Sequence, residues 1–123
     1  MAAPNLIGAV TIVGKTTAAN LSTVNETSVI SNAGSSGKCF KINTLNVANF
    51  SSSSTQVNVI YHDGAGLAGT ATFIAGNITI PAYSTLNVID RGSQYYLEEG
   101  TSIGAQASTA NALGVTVSYE DIS

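Results

Sequence analysis

The chain has little charge. Only 9% of its 123 residues are Asp, Glu, Lys or Arg, against about 25% in an ordinary soluble domain. Four basic residues, Lys15, Lys38, Lys41 and Arg91, are scattered rather than clustered, and the net charge is -3. Phosphate backbones are held by basic clusters, so nucleic acid is excluded as a partner. Tryptophan is absent, and Cys39 is the single cysteine, which excludes an intrachain disulfide. A lone cysteine in an apolar setting packs as a small hydrophobe. His62 is the single histidine. One Cys and one His cannot close a four-ligand zinc site without carboxylates. No apolar run approaches the roughly 20 residues of a membrane span. The start Met1-Ala2-Ala3-Pro4-Asn5 lacks the basic and apolar regions of a secretory signal, so the expectation is synthesis in a cytoplasm.

Ser, Thr, Asn, Gly and Ala take the place of the missing charge, and they sit between short alternating runs. The clearest run is Leu113 to Tyr119, where Leu113, Val115, Val117 and Tyr119 share one parity and Thr116 and Ser118 the other. A period of two marks a half-buried strand. Similar runs are Gly8–Thr17 with Val10 and Ile12, Ser28–Ser31, Lys38–Asn49, Thr55–His62, Thr70–Ala75, Ile78–Ile80, Leu86–Val88, Tyr95–Leu97 and Ile103–Ala107. Ala18 to Thr27 reads as a loop or short strand, because its Ser, Thr and Asn side chains compete for the backbone. Turns are expected at Asn32–Gly37, Ser51–Ser54, Asp63-Gly64, Gly76-Asn77, Asp90–Ser93 and Glu99-Gly100. In Lys38–Asn49 the pair Phe40 and Ile42 has the opposite parity to Leu45 and Val47. A β-bulge near Asn43-Thr44, or burial on both faces, resolves that conflict.

Eight or nine short antiparallel strands at roughly ten-residue spacing, with no convincing helix, predict an all-β sandwich, jelly-roll-like in architecture. Length fits one domain, with an N-terminal arm over residues 1–5 and the sandwich over residues 6–123.

Candidate chemistry is sparse. Gly64-Ala65-Gly66-Leu67-Ala68-Gly69 fits a dinucleotide-binding spacing, but no helix follows to aim its N-terminus at a phosphate, so it reads as a hairpin loop. His62 and Asp63 are neighbours on a strand and face opposite ways, so His62 reads as exposed or at a rim. No Gly-x-Ser-x-Gly elbow is present. Glu98 and Glu99 diverge, and with Asp90 or Asp121 they have oxygen ligands for calcium but no spaced acidic run to form a loop. Four sequons, at Asn20, Asn25, Asn49 and Asn77, are expected to be unmodified. No catalytic, cofactor-binding or metal-binding residue is assigned, no cofactor is expected, and the chain is not expected to be an enzyme. Tyr61, Tyr83, Tyr95 and Tyr96 are the aromatic side chains available as a sugar platform.

Three C-terminal segments carry a resemblance. Pro81-Ala82-Tyr83-Ser84-Thr85-Leu86, then Tyr96-Leu97-Glu98-Glu99-Gly100-Thr101-Ser102-Ile103, then Val115-Thr116-Val117-Ser118-Tyr119-Glu120-Asp121-Ile122-Ser123 resemble a family of small virion structural proteins of tailed bacteriophages, including phages of marine bacteria and cyanobacteria. Leu45–Ser51 and Val57–Tyr61 extend the likeness to the middle of the chain, and the N-terminal third matches little. The resemblance implies a capsid cement or decoration protein that binds assembled capsid subunits. Neck, tail or fibre-associated roles are the alternatives, and a carbohydrate-binding module for host attachment is a further one. The implied partners are the major capsid protein or a neck or tail protein, together with other copies of the chain. No membrane or nucleic acid is implied, and the location is the virion. The N-terminal arm and the loops Asn32–Gly37, Ser51–Ser54 and Gly64–Gly69 are the expected contact sites.

Overall fold

A computed structural model describes Gly8, residues 11–90 and residues 92–123. Inward-facing Val, Ile and Leu on alternating strands are buried between two layers. The strands are β1 (Ile12–Leu21), β2 (Thr27–Asn32), β3 (Cys39–Asn49), β4 (Thr55–His62), β5 (Ala71–Ile80), β6 (Thr85–Ile89), β7 (Tyr95–Leu97), β8 (Thr101–Ala107) and β9 (Leu113–Ile122). One sheet runs β1-β9-β3-β6, with β7 also paired to β3; the other runs β2-β8-β4-β5. All pairs are antiparallel. With the three-residue β7 set aside, the first, eighth, third and sixth strands form one sheet, and the second, seventh, fourth and fifth form the other. That order is a jelly roll. The expected arm over residues 1–5 lies outside the described residues, as does Val10.

The parity conflict in β3 is resolved by a bulge. Its register with β9 shifts between Ile42 and Thr44, so Ile42 and Leu45 both turn inward and both are fully buried. Leu21, Ile42, Leu45, Val47, Val57, Val59, Ile103, Leu113, Val115 and Val117 form the centre of the core. Each such side chain contributes about 1.5–3 kcal/mol of burial. An Asx turn at Asp90, whose carboxylate accepts from the Gly92 N–H at 2.9 Å, opens the loop after β6, and the chain then resumes in the same direction as β7. β7 then pairs with Phe40–Ile42 while β6 pairs with Leu45–Ala48, so the two share one edge of β3.

Of the two readings of Ala18–Thr27, loop or short strand, Ala18–Leu21 take the strand, as a continuation of β1, because β9 offers ten consecutive partners from Ile122 to Leu113. One expectation fails. Gly76-Asn77 does not reverse the chain. β5 runs through it, and Asn77, at φ 52°, forms a bulge where the register with β4 shifts. The Asn58 side chain accepts the Asn77 N–H at 2.6 Å and stabilises that bulge.

Buried amides tie the two sheets together at each end. Asn32, at the end of β2, donates to the carbonyls of Lys38 (2.8 Å) and Leu97 (3.0 Å) beside the opposite sheet, and its oxygen accepts from Ser36. Asn49, at the end of β3, donates to Ser53 (2.8 Å) and to Ile80 (2.9 Å) at the end of β5, and its oxygen accepts from Ser51. Both residues are at most 2% exposed. Removing either side chain strands buried carbonyls, each costing about 1–3 kcal/mol. Asn49→Ala is therefore expected to lower the unfolding free energy by about 2–4 kcal/mol, measured as a fall in the urea midpoint. An exposed control, Asn20→Ala, should leave the midpoint within about 0.5 kcal/mol of wild type.

Candidate functional site

The alternating strand directions sort the loops to two ends. Ser22–Asn25, Phe50–Ser54, Pro81–Ser84 and Ser108–Ala112 share one end, where Phe50 N–H donates to Ala112 and Asn49 N–H to Ser84. Ala33–Lys38, Asp63–Thr70 and the Glu98–Gly100 turn share the other, where Gly100 N–H donates to Asn32. The expected contact loops thus divide: Ser51–Ser54 lies opposite Asn32–Gly37 and Gly64–Gly69, and the three do not form one surface.

The glycine-rich loop is a hairpin connection between β4 and β5. The Thr70 N–H donates to the Asp63 carboxylate at 2.6 Å and closes it. Gly66 and Gly69 have φ of 66° and 76°, and a Cβ at Gly69 would meet that carboxylate. The glycines serve the turn. The loop folds back on the outer face of the second sheet, where the Leu67 N–H donates to Ser102 Oγ (2.9 Å) and the Gly66 N–H to Ser31 Oγ (2.9 Å).

This cover corrects the reading of His62. It is 5% exposed, not at a rim, and its Nε2 lies 2.6 Å from Glu26 Oε2 rather than near Asp63. At that distance the two share a hydrogen bond that joins the ring to the carboxyl group. Glu26 reaches His62 across Gly104, where a Cβ would collide with its carboxylate. Sequence spacing gave no sign of the pair, which lies 36 residues apart. Ser102 stands opposite His62 in the β4–β8 register. Its hydroxyl is fully buried and donates to the Gly64 carbonyl at 2.7 Å, so it is not free as a nucleophile.

Three of the four platform tyrosines do meet. Tyr61, Tyr95 and Tyr96 line a cleft of about 280 Å³ with Thr72, Phe73 and Ile74, at the seam where β5 of one sheet faces β7 of the other. Among the described residues no charged side chain lines it. Phe73 (55%) and Tyr96 (49%) are open to solvent, and Tyr61 is half-buried. Burial raises the Tyr61 phenol pKa above its ordinary value. Tyr83 is exposed elsewhere, in the β5–β6 turn. Phe73 was not foreseen in this role, because only tyrosines were considered as the platform.

The outer face of the first sheet is nearly free of charge over three successive rows. Thr16, Ser118 and Thr44 are register partners; so are Ala18, Thr116, Asn46 and Asn87; and so are Asn20, Gly114, Ala48 and Thr85. Among the described residues, charge on this face lies at the end that holds Lys41 and Glu120.

Asp121 is buried, and its Oδ2 accepts from Lys15 (2.8 Å) and Lys38 (3.5 Å). Its carboxylate is committed to those lysines and not to Glu98 or Glu99, while Glu99 accepts from the Gly37 N–H. Among the described residues no three His, Cys, Asp or Glu side chains converge as metal ligands. No helix among them is long and apolar enough to cross a membrane. The Asn49 sequon is buried and fully hydrogen-bonded, which closes it to a glycan in the folded chain.

A search against protein-family models finds no match to this chain, and none of the curated proteins matches it.

Two solution tests follow. The hydrogen bond from Lys15, with the Lys15 and Lys38 charges, holds the Asp121 pKa below its ordinary 3.8 despite burial. A depressed carboxylate adds stability above the ordinary value and loses it as pH falls through the folded value. The urea midpoint of the wild type should therefore fall more steeply below pH 4 than that of Asp121→Asn. Burial also raises the Cys39 thiol pKa. Cys39 should react with a disulfide reagent only as fast as the protein unfolds, with a rate that rises with urea concentration.

Proposed function

We propose that the chain is a virion structural protein that cements or decorates an assembled capsid. One observation carries this reading. The five edge strands, β1, β2, β5, β6 and β7, contain a single charged side chain, Lys15, and Asp121 neutralises it. Edge strands of free proteins are commonly guarded by charge, because their unpaired backbone groups otherwise recruit other strands. Weakly guarded edges, together with the uncharged face of the first sheet, suit a protein covered by neighbours. Many modest interfaces repeated over a lattice then sum to a tight cover. The likeness of the three C-terminal segments to phage virion proteins points the same way. A place at the neck or tail uses the same surfaces.

The aromatic cleft favours a second reading, a carbohydrate-binding module. Phenol faces and hydroxyls without charge suit a neutral sugar ring.

The tests are direct. Capsids assembled without the chain should bind it, with copy number scaling with capsid subunits; a count matching one ring would place it at the neck or tail. Binding between 50 mM and 1 M salt should change by less than about threefold, since few charges are there to be screened. Binding to glycans with no capsid association would replace this reading with the second.

A further inference from the structure

The edges are not equally open. β2 is short and its register shifts at Val29; β5 is bulged at two places; β6 and β7 are short and share one edge. Bulges and short length are both ways of blunting an edge. β1 has neither: it pairs with β9 without a break over ten residues, and Ile12 through Thr16, Ala18 and Asn20 are exposed.

The pattern of its free groups is fixed by the pair at its start. Thr11 and Ser123 exchange both backbone hydrogen bonds, at 2.9 Å each. Antiparallel pairs alternate between bonded and non-bonded. Val13, Lys15, Thr17, Ala19 and Leu21 therefore bond to β9, while Ile12, Gly14, Thr16, Ala18 and Asn20 turn their N–H and C=O groups outward. No other described residue is hydrogen-bonded to those groups. What completes them is an extended backbone.

We infer that β1 pairs with β1 of a second copy of this chain, antiparallel about a two-fold axis at Thr16. The strand is self-complementary in that register. Ile12 meets Asn20, Gly14 meets Ala18 and Thr16 meets Thr16, so each of the five outward residues exchanges a pair of hydrogen bonds. Lys15 meets Thr17, and its ammonium is held by Asp121, so no like charges oppose each other. Shifting the axis to Lys15 sets two lysines against each other, and shifting it to Thr17 leaves Ile12 without a partner. Side by side, two Thr16 hydroxyls form a favourable cross-strand pair. The first sheets of the two copies become one continuous sheet. This inference does not rest on the virion reading, since it concerns the isolated chain.

The register makes the test specific. Residues directly opposite in a bonded antiparallel pair have Cα atoms about 5.5 Å apart, which suits a disulfide. Under mild oxidation, Thr16→Cys should give a covalent dimer. Gly14→Cys alone and Ala18→Cys alone should not, but the two mixed should cross-link. A Cβ at Gly14 meets nothing within 4 Å, so that variant retains the fold. Sedimentation at concentrations on the order of 100 μM should show a dimer for wild type and a monomer for Thr16→Pro; a proline is tolerated where the N–H points off an edge. Thr16→Glu and Thr16→Lys should each be monomeric and should dimerise when mixed. Folding of every variant is checked by its urea midpoint. A monomeric wild type, a Thr16→Pro variant that still dimerises, or cross-linking that ignores position would each overturn the proposal. So would pairing of β1 only with an added capsid protein.

Discussion

Two buried amide side chains hold this sandwich in shape. A hydrophobic interface between sheets has no direction, and two layers of Val, Ile and Leu slide or rotate with little penalty. Asn32 and Asn49 remove that freedom. Each sits at a strand end and donates to carbonyls that belong to two different parts of the chain, one on its own loop and one beside the facing sheet. The bonds are made in a dry setting, where an unmet partner is costly. One end of the sandwich is pinned through Leu97 and the other through Ile80. Both ends of the open side are thereby set: β7 leaves Leu97 and β5 ends at Ile80, and the aromatic cleft lies between those two strands.

The scarcity of charge shapes what the rest of the surface offers. Where charge does appear, it is mostly consumed inside the molecule. Asp121 takes Lys15 and Lys38, Glu26 takes His62, Asp63 closes its own hairpin and Asp90 its own turn. Contacts made by the remaining surface rely on backbone pairing, hydroxyls, amides and a few aromatic rings. Such contacts are short-ranged and demand close fit. Steering from a distance contributes little.

Much of the fold was legible in the sequence because strand alternation is a local signal. Leu113 to Tyr119 announced β9, and the clash of parity between Ile42 and Leu45 located the bulge in β3 before any partner was known. What stayed open or failed was non-local. Ala18–Leu21 has weak strand composition, which left loop and strand both open, and it is extended because β9 pairs with it. Gly76-Asn77 has turn composition but is held straight by Asn58 on a neighbouring strand. His62 looked like a rim residue because nothing in its own segment shows that Glu26 and the Gly64–Gly69 loop close over it. The tyrosines of the cleft were named from composition. Their meeting depended on β7 crossing to the edge of β3, a consequence of topology that alternation does not carry. The open backbone of β1 was likewise hidden until its pairing with β9 fixed which residues face outward.

The strand order has a consequence for how the molecule comes into being. β9 follows every other strand in sequence, yet it lies between β1 and β3 and bonds to both along its whole length. While the chain is being synthesised, the first sheet has a gap at its centre, and β1 and β3 wait with bare backbones. The second sheet has all four members once β8 is made. Folding is thus divided in time: one layer is able to assemble early, and the other locks only when the last strand inserts. The β1–β9 pairs, such as Ile12 with Ile122, are among the most distant in sequence, and such non-local pairing is slow to form. Until it happens, β1 and β3 are the segments most exposed to capture by a chaperone or by another unfinished chain.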